Sequence, residues 1–362
     1  MITRHSLNNL TFIHILRIIA VFFVIFNHSG DIGFYLYADY SVSSIQFWVY
    51  LFFSIFSKVS VPLFFLISGA LLLNKPDESL TELWRKRIFK IAVPLVFFSL
   101  VYYCYALYWS GEPFCLSEFL NKLYASDLMY HLWYMYAYIG YLMCIPFLRS
   151  MVKSLPDKYF YYMIGIALFF NGILPCVEYR ISQGMVSMNA YLRPTWLITN
   201  TVLYPCVGYF LQHRIDIASI KRRLPLLWGI NLIGFIVSGY MTYYRYTIAG
   251  AIEKTEVFHS CFAILNCIAV FITAKYLFSF IKVSGFASDL VQSAGKCTFG
   301  IYLIHLLLKD RVFLVSMVEN MRTSGVNFLL AALLYCICIF LISYGITLVI
   351  SKIPLIRKNV GF

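Results

Sequence analysis

Apolar runs of about 20 residues, the length that crosses a bilayer as a helix, recur from one end of the chain to the other. Ten such runs are present, at 10–28, 46–73, 88–109, 130–149, 159–175, 195–212, 224–243, 258–280, 297–316 and 328–351. The second is long enough to tilt or to contain a break. Pro62 lies within it and cannot donate its backbone hydrogen bond, so a kink is expected there, with a freed carbonyl facing a cavity. The first run is too long for a cleavable signal and lacks a small-residue cleavage site, so it is expected to stay in place as a span. The expected fold is all-α: a polytopic integral membrane protein with about ten transmembrane helices around a central cavity. No internal repeat, low-complexity segment or linker interrupts it, and residues 1–362 read as one integral domain.

Composition sharpens this picture. The chain is 61% hydrophobic and 12% charged, against about 25% charged in a soluble domain. No sizeable soluble domain fits. The net charge of +13 arises from Lys and Arg placed between spans, as the positive-inside rule expects, and does not point to nucleic acid. With the N-terminus inside, the inner segments carry 19 of the 29 basic residues and the outer segments eight; Arg17 and Lys58 lie within spans. The asymmetry places both termini in the cytoplasm. Outer loops carry acids instead, among them Asp31, Asp39, Glu112, Glu118 and Asp127. The ten cysteines lie mostly inside apolar runs with no CxxC pair and no metal-ligand spacing, so they read as small apolar residues.

Candidate chemistry sits where polar residues interrupt the apolar pattern. Arg17 breaks the first run, which closes on Asn27-His28. A buried arginine costs about 2.5–3.5 kcal/mol on insertion scales, and a helix serving only as an anchor would more often carry leucine. The eleven residues from Arg17 to His28 make three turns plus about 20°, so the two side chains point the same way, roughly 16 Å apart along the axis. A guanidinium in the inner half of the membrane and an imidazole at its outer edge then face one interior. The plainer readings are a snorkelling Arg17 and a His28 that caps its helix at the interface. No acidic residue stands at i±3 or i±4 from Arg17.

Lys58 is a second cation within a span, just before Val61-Pro62-Leu63-Phe64-Phe65-Leu66-Ile67-Ser68-Gly69. Ser68-Gly69 is suited to close helix packing. Arg85-Lys86-Arg87 opens the third span on the inner face. Arginine makes forked contacts with phosphate, although the cluster also reads as a topology determinant. His131-Leu132-Trp133-Tyr134 opens the fourth span at the outer surface, where an aromatic belt is the simpler account. Tyr302 and His305 lie within the ninth span, where a buried, hydrogen-bonded histidine is the simpler account.

Taken in order, these landmarks resemble the membrane-bound acyltransferase family 3, the bacterial sugar O-acetyltransferases, in its stand-alone ten-span type. The residues that carry the resemblance are Arg17 and His28 with ten residues between them, 61–69, Arg85-Lys86-Arg87, 131–133 and Phe299-Gly300-Ile301-Tyr302-Leu303-Ile304-His305. Ala70 follows Ser68-Gly69 where the family often has an aromatic.

The resemblance implies acetyl transfer from cytoplasmic acetyl-CoA to a hydroxyl of a cell-surface polysaccharide or its lipid-linked precursor, at the bacterial inner membrane. Arg85 and Arg87 would hold the phosphates of the donor, with Arg17 and Lys58 deeper in. His28 would act with Arg17 in catalysis, as general base to the incoming hydroxyl or as the site of a covalent acyl intermediate. His131, Trp133, Tyr302 and His305 would face the acceptor. Membrane lipid is the remaining partner; neither a metal nor a nucleic acid is implied. Two readings compete: a polysaccharide exporter, since buried cations suit a transporter as well, and succinyl rather than acetyl transfer.

Overall fold

A computed structural model of the protein describes residues 4–125, 128–249, 255–281 and 283–352. Lys254, Lys282, Arg357 and Lys358, counted in the charge asymmetry, and the outer-loop Asp127 lie outside the described residues. Among the described residues the regular structure is helical and no strand is present. The main helices are α1 (Arg4–Asn27), α2 (Ile45–Ser57), α3 (Ser60–Leu72), α4 (Leu80–Ser110), α5 (Leu116–Ala125), α6 (Tyr130–Ser154), α7 (Asp157–Ser182), α8 (Leu203–His213), α9 (Ile217–Ala249), α10 (Ala263–Phe280), α11 (Gly285–Leu308), α12 (Val312–Thr323) and α13 (Phe328–Ser351).

Among the described residues, seven helical stretches are long and apolar enough to cross a membrane, counting α2 and α3 as one; the others are α4, α6, α7, α9, α10 and α13. The remaining three expected spans differ from the pattern. The apolar part of α1, Thr11–Asn27, is shorter. The sixth run splits into a single turn, Thr195–Ile198, and the 11-residue α8. The ninth run, expected at 297–316, starts at Gly285 and stops at Leu308. Asp310 there takes a left-handed backbone (φ 62°) and reverses the chain, so residues 312–316 belong to α12.

Broken helices leave carbonyls without partners, which a membrane protein tolerates only inside the protein or against a cavity. Two asparagines close these breaks. Asn27 Nδ2 donates to the Ser57 carbonyl at the end of α2 (3.0 Å) and to Ser60 Oγ at the start of α3 (2.8 Å). Asn171 Nδ2 donates to the Ile198 carbonyl where the sixth run unwinds (3.2 Å). Lys275 does a similar service for α8: its Nζ donates to the carbonyls of Leu211, Gln212 and Ile215 (2.8–2.9 Å), a cation at a helix C-terminus.

The first helix is the hub, packed against α3, α10, α11 and α13. Its neighbour α3 lies against α8 with their backbones in contact. A Cβ added at Gly69 would stand 2.0 Å from the Pro205 oxygen, and one at Gly208 1.9 Å from the Leu66 oxygen. The close packing expected of Ser68-Gly69 is therefore made by Gly69. In place of one cavity shared by Arg17 and His28, two hollows lie along α1 among the described residues, one lined by Arg17 and the other by His28; they are named inner and outer after the expected orientation.

Candidate functional site

The last turn of α1 carries His28 to the meeting point of α3, α6 and α11. Its Nδ1 lies 2.8 Å from Nε2 of His305, 277 residues further along the chain. The other ring nitrogen of His305, Nδ1, lies 2.6 Å from the Tyr302 carbonyl. A carbonyl only accepts, so His305 Nδ1 holds a proton; its Nε2 then accepts, and the donor is His28 Nδ1–H. The tautomers follow in sequence, and His28 Nε2 keeps its lone pair. That nitrogen belongs to a histidine lining the outer hollow. His305 is 1% exposed, as is His131, whose ring lies 5.3 Å from that of His305. Neither ring nitrogen of His131 has a partner among the described residues, while its carbonyl accepts the Tyr302 hydroxyl.

The outer hollow, about 730 Å³, is lined by His28, Lys58, Tyr130, Trp133, Asn171 and Glu256, among others. Lys58 forms an ion pair with Glu256 and lies 4.5 Å from the centre of the Phe34 ring. Aromatic faces beside amides and paired charges suit a ligand rich in hydroxyls.

The inner hollow, about 340 Å³, has a different character. Arg17, Lys86, Arg87, Lys90 and Lys296 line it, and among the described residues no carboxylate does. Ser68 Oγ and Tyr138 Oη meet on its wall at 2.7 Å. A π-helical turn at Trp84–Ile88 inside α4 aims the basic cluster; such turns hold an extra residue and recur at functional sites. Arg17 makes no hydrogen bond or ion pair among the described residues. Arg87 is held from behind: its Nε donates to Glu78 Oε1 (2.7 Å), and the same oxygen accepts Arg149 Nη2 (2.9 Å). Arg149 is 2% exposed and also donates to the Leu72 carbonyl (3.1 Å). With its Nε engaged, Arg87 keeps its terminal nitrogens for the hollow.

Glu78 is thus the single anion between two arginines. Burial works to raise its pKa, but the hydrogen bonds and charges of Arg87 and Arg149 outweigh burial and hold it below the ordinary 4.5. A carboxyl with a lower pKa folded than unfolded stabilises the fold above the unfolded value and loses that contribution as pH falls through the folded one. The melting midpoint of the detergent-solubilised protein is expected to drop on acidification below pH 4.5. At neutral pH, Glu78→Gln is expected to cost about 3 kcal/mol, because it leaves the buried Arg149 without its counter-charge. That variant would also lose part of the acid dependence. Identical melting curves across pH for the two proteins would contradict this account.

The two sets of lining residues share no member. The first turns of α6 divide them: Tyr130 and Trp133 face the outer hollow, Tyr134 and Tyr138 the inner. Helix α3 does the same, with Val61 and Pro62 outside and Phe64 and Ser68 inside.

Several expectations about placement are corrected. Lys58, expected beside Arg17, lines the outer hollow, because the helix breaks at Lys58-Val59 and turns its side chain toward Glu256. Of the two arginines expected at the donor, Arg87 lines the inner hollow, while Arg85 is exposed and lines neither hollow. Tyr302, expected to face the acceptor, lines the inner hollow, and His305 and His131 are buried beside His28 rather than open to a ligand. Trp133 and His28 do meet at the outer hollow, and Arg17 and Arg87 at the inner one. Sequence reasoning missed Lys90, Lys296, Glu78 with Arg149, and Asn171. Asn171, Lys90 and Arg149, polar residues within apolar runs, left a signal of the same kind as Arg17.

A family model described as an acyltransferase domain matches residues 10–348. Comparison with curated proteins and with solved structures gave no match.

Proposed function

The chain belongs to the membrane-bound acyltransferase family 3, and on that premise we propose that it moves an acetyl group from cytoplasmic acetyl-CoA to a hydroxyl of a cell-surface polysaccharide or its lipid-linked precursor. The donor enters the inner hollow. Its phosphates meet Arg87, Lys86, Lys90 and Lys296, and its thioester end runs toward Arg17, whose unpaired guanidinium polarises the carbonyl. The acceptor occupies the outer hollow against Tyr130 and Trp133. His28 Nε2 removes the hydroxyl proton as the oxygen attacks the thioester carbon, and CoA leaves as the thiolate. The membrane is the bacterial inner membrane, with both termini cytoplasmic and the outer hollow facing outward.

One observation carries this reading: the hydrogen-bonded series from the Tyr302 carbonyl through His305 to His28, which engages Nδ1 and leaves Nε2 to a histidine that lines a sugar-sized hollow. About 16 Å of helix separates Arg17 from His28, so donor and acceptor meet only when the Tyr134–Tyr302 wall moves aside. The test is release of CoA thiol by purified protein in detergent, with acetyl-CoA and an acceptor glycan supplied. His28→Ala and Arg17→Ala are expected to lose turnover while remaining folded. Wild-type protein that moved glycan across vesicles yet released no thiol from any acyl-CoA would overturn the assignment in favour of export.

A further inference from the structure

One face of α7 presents Gly172, Cys176 and Tyr179, one and two turns apart. All three meet the segment 258–262. A Cβ added at Gly172 would stand 3.0 Å from the Cys261 carbonyl oxygen and 2.9 Å from the Phe262 ring, so the missing side chain lets helix and segment touch. The Tyr179 and Phe258 rings pack at 5.2 Å. Between these two contacts, Cys176 and Cys261, both buried and present as free thiols, belong to one small buried cluster with Met241 and Phe258. Both sides of this seam reach the outer hollow. Asn171 and Pro175 line it from α7; Glu256, which holds Lys58, and Cys261 line it from the segment.

We propose that Cys176 and Cys261 are joined by a disulfide that pins this wall of the outer hollow. The inference rests on the outward placement of that hollow proposed above, because disulfides persist in extracytoplasmic, oxidising compartments. The oxidant is a low-molecular-weight or protein disulfide of that compartment, R–S–S–R. Cys261 borders the hollow, so the oxidant reaches it there. The Cys261 thiolate attacks one sulfur and expels RS⁻. Cys176, on losing its proton, attacks the Cys261 sulfur of the mixed disulfide and expels the second RS⁻. Two thiols are oxidised, one external disulfide is reduced, and both protons end on the released RSH. The link closes a stretch of about 85 residues, long enough to restrict the unfolded chain strongly. In the folded protein it keeps Glu256 opposite Lys58.

The full chain, extracted in detergent with excess alkylating agent and no reductant, is digested and weighed. Peptides carrying Cys176 and Cys261 are expected to be linked, two hydrogens lighter than the separate thiol peptides. Dithiothreitol is expected to lower the melting midpoint of the wild type and to leave that of Cys176→Ser unchanged. Alkylation of both residues as free thiols overturns the disulfide, and so does an equal dithiothreitol shift in the variant. A membrane-impermeant maleimide applied to right-side-out vesicles separates the two layers of the argument, because Cys115 is exposed just before α5 on the same outer side. Free thiols with Cys115 labelled overturn the disulfide alone. Free thiols with Cys115 shielded overturn the orientation as well.

Discussion

Gly208→Leu is expected to leave little folded protein in the membrane. The nearest atoms to a side chain at this position are backbone: the Leu66 carbonyl oxygen at 1.9 Å and its carbon at 2.7 Å from the first added carbon. A rotamer change cannot relieve that contact, so α3 and α8 would have to part by well over an ångström. The reciprocal contact at Gly69, 2.0 Å from the Pro205 oxygen, would open with it. Without a hydrophobic drive between helices in lipid, association depends on such close fit. The cost is expected to exceed about 3 kcal/mol, the upper part of the range for overpacking. Size-exclusion profile and melting midpoint in detergent measure it. Gly140→Ala is the control, since a Cβ there meets nothing within 4 Å. A Gly208→Leu protein that was monodisperse and melted like wild type would show that the two helices do not approach this closely.

His305→Leu is expected to lower turnover by about 10²–10⁴, the range set by a positioned acid–base group, while the KM for acetyl-CoA changes little. Leucine removes the acceptor that fixes the proton on His28 Nδ1, so the ring is free to protonate Nε2 and lose the base. It also removes the lone pair that would face the imidazolium after proton uptake. His305→Gln, whose side-chain oxygen can accept from Nδ1, is expected to recover part of the loss. Steady-state kinetics decides: a rise in the acetyl-CoA KM with kcat unchanged would place His305 on the donor side and remove it from the proton path.

The sequence made some of this geometry legible and hid the rest for identifiable reasons. Helical period puts Arg17 and His28 on one side of α1, so both are expected to face one interior. The structure instead sets Arg17 on the inner hollow and His28 on the outer one, since period fixes direction around a helix and not what closes off the space between two levels. Lys58 could not be placed that way. Pro62 announced a break but not its position, and a break at Lys58-Val59 reverses the direction of the cation. Arg85 and Arg87 are both expected at the donor, and only Arg87 lines the hollow, because the cluster lies on a π-helical turn, which inserts one residue and has no composition of its own. Lys296 was hidden because α11 begins at Gly285, in polar sequence that reads as a loop. The partner of His28 lies 277 residues away, and no local pattern reports a contact of that range. The apolar runs were legible as membrane helices, but whether 195–212 crosses unbroken depended on Asn171 being present to receive it.

The aromatic wall shared by α6 and α11 also bears on the electrical integrity of the bilayer. Moving one elementary charge across a 100 mV potential is worth about 2.3 kcal/mol, so a continuous wet bore through this protein would short-circuit any cell that holds a gradient. Tyr134 and Tyr302, with rings 5.4 Å apart on the wall of the inner hollow, would interrupt such a bore. An uncharged two-carbon group does no work against the field, whereas a hydrated ion does. Insulation at these two phenols therefore sets how wide the chambers on either side can be.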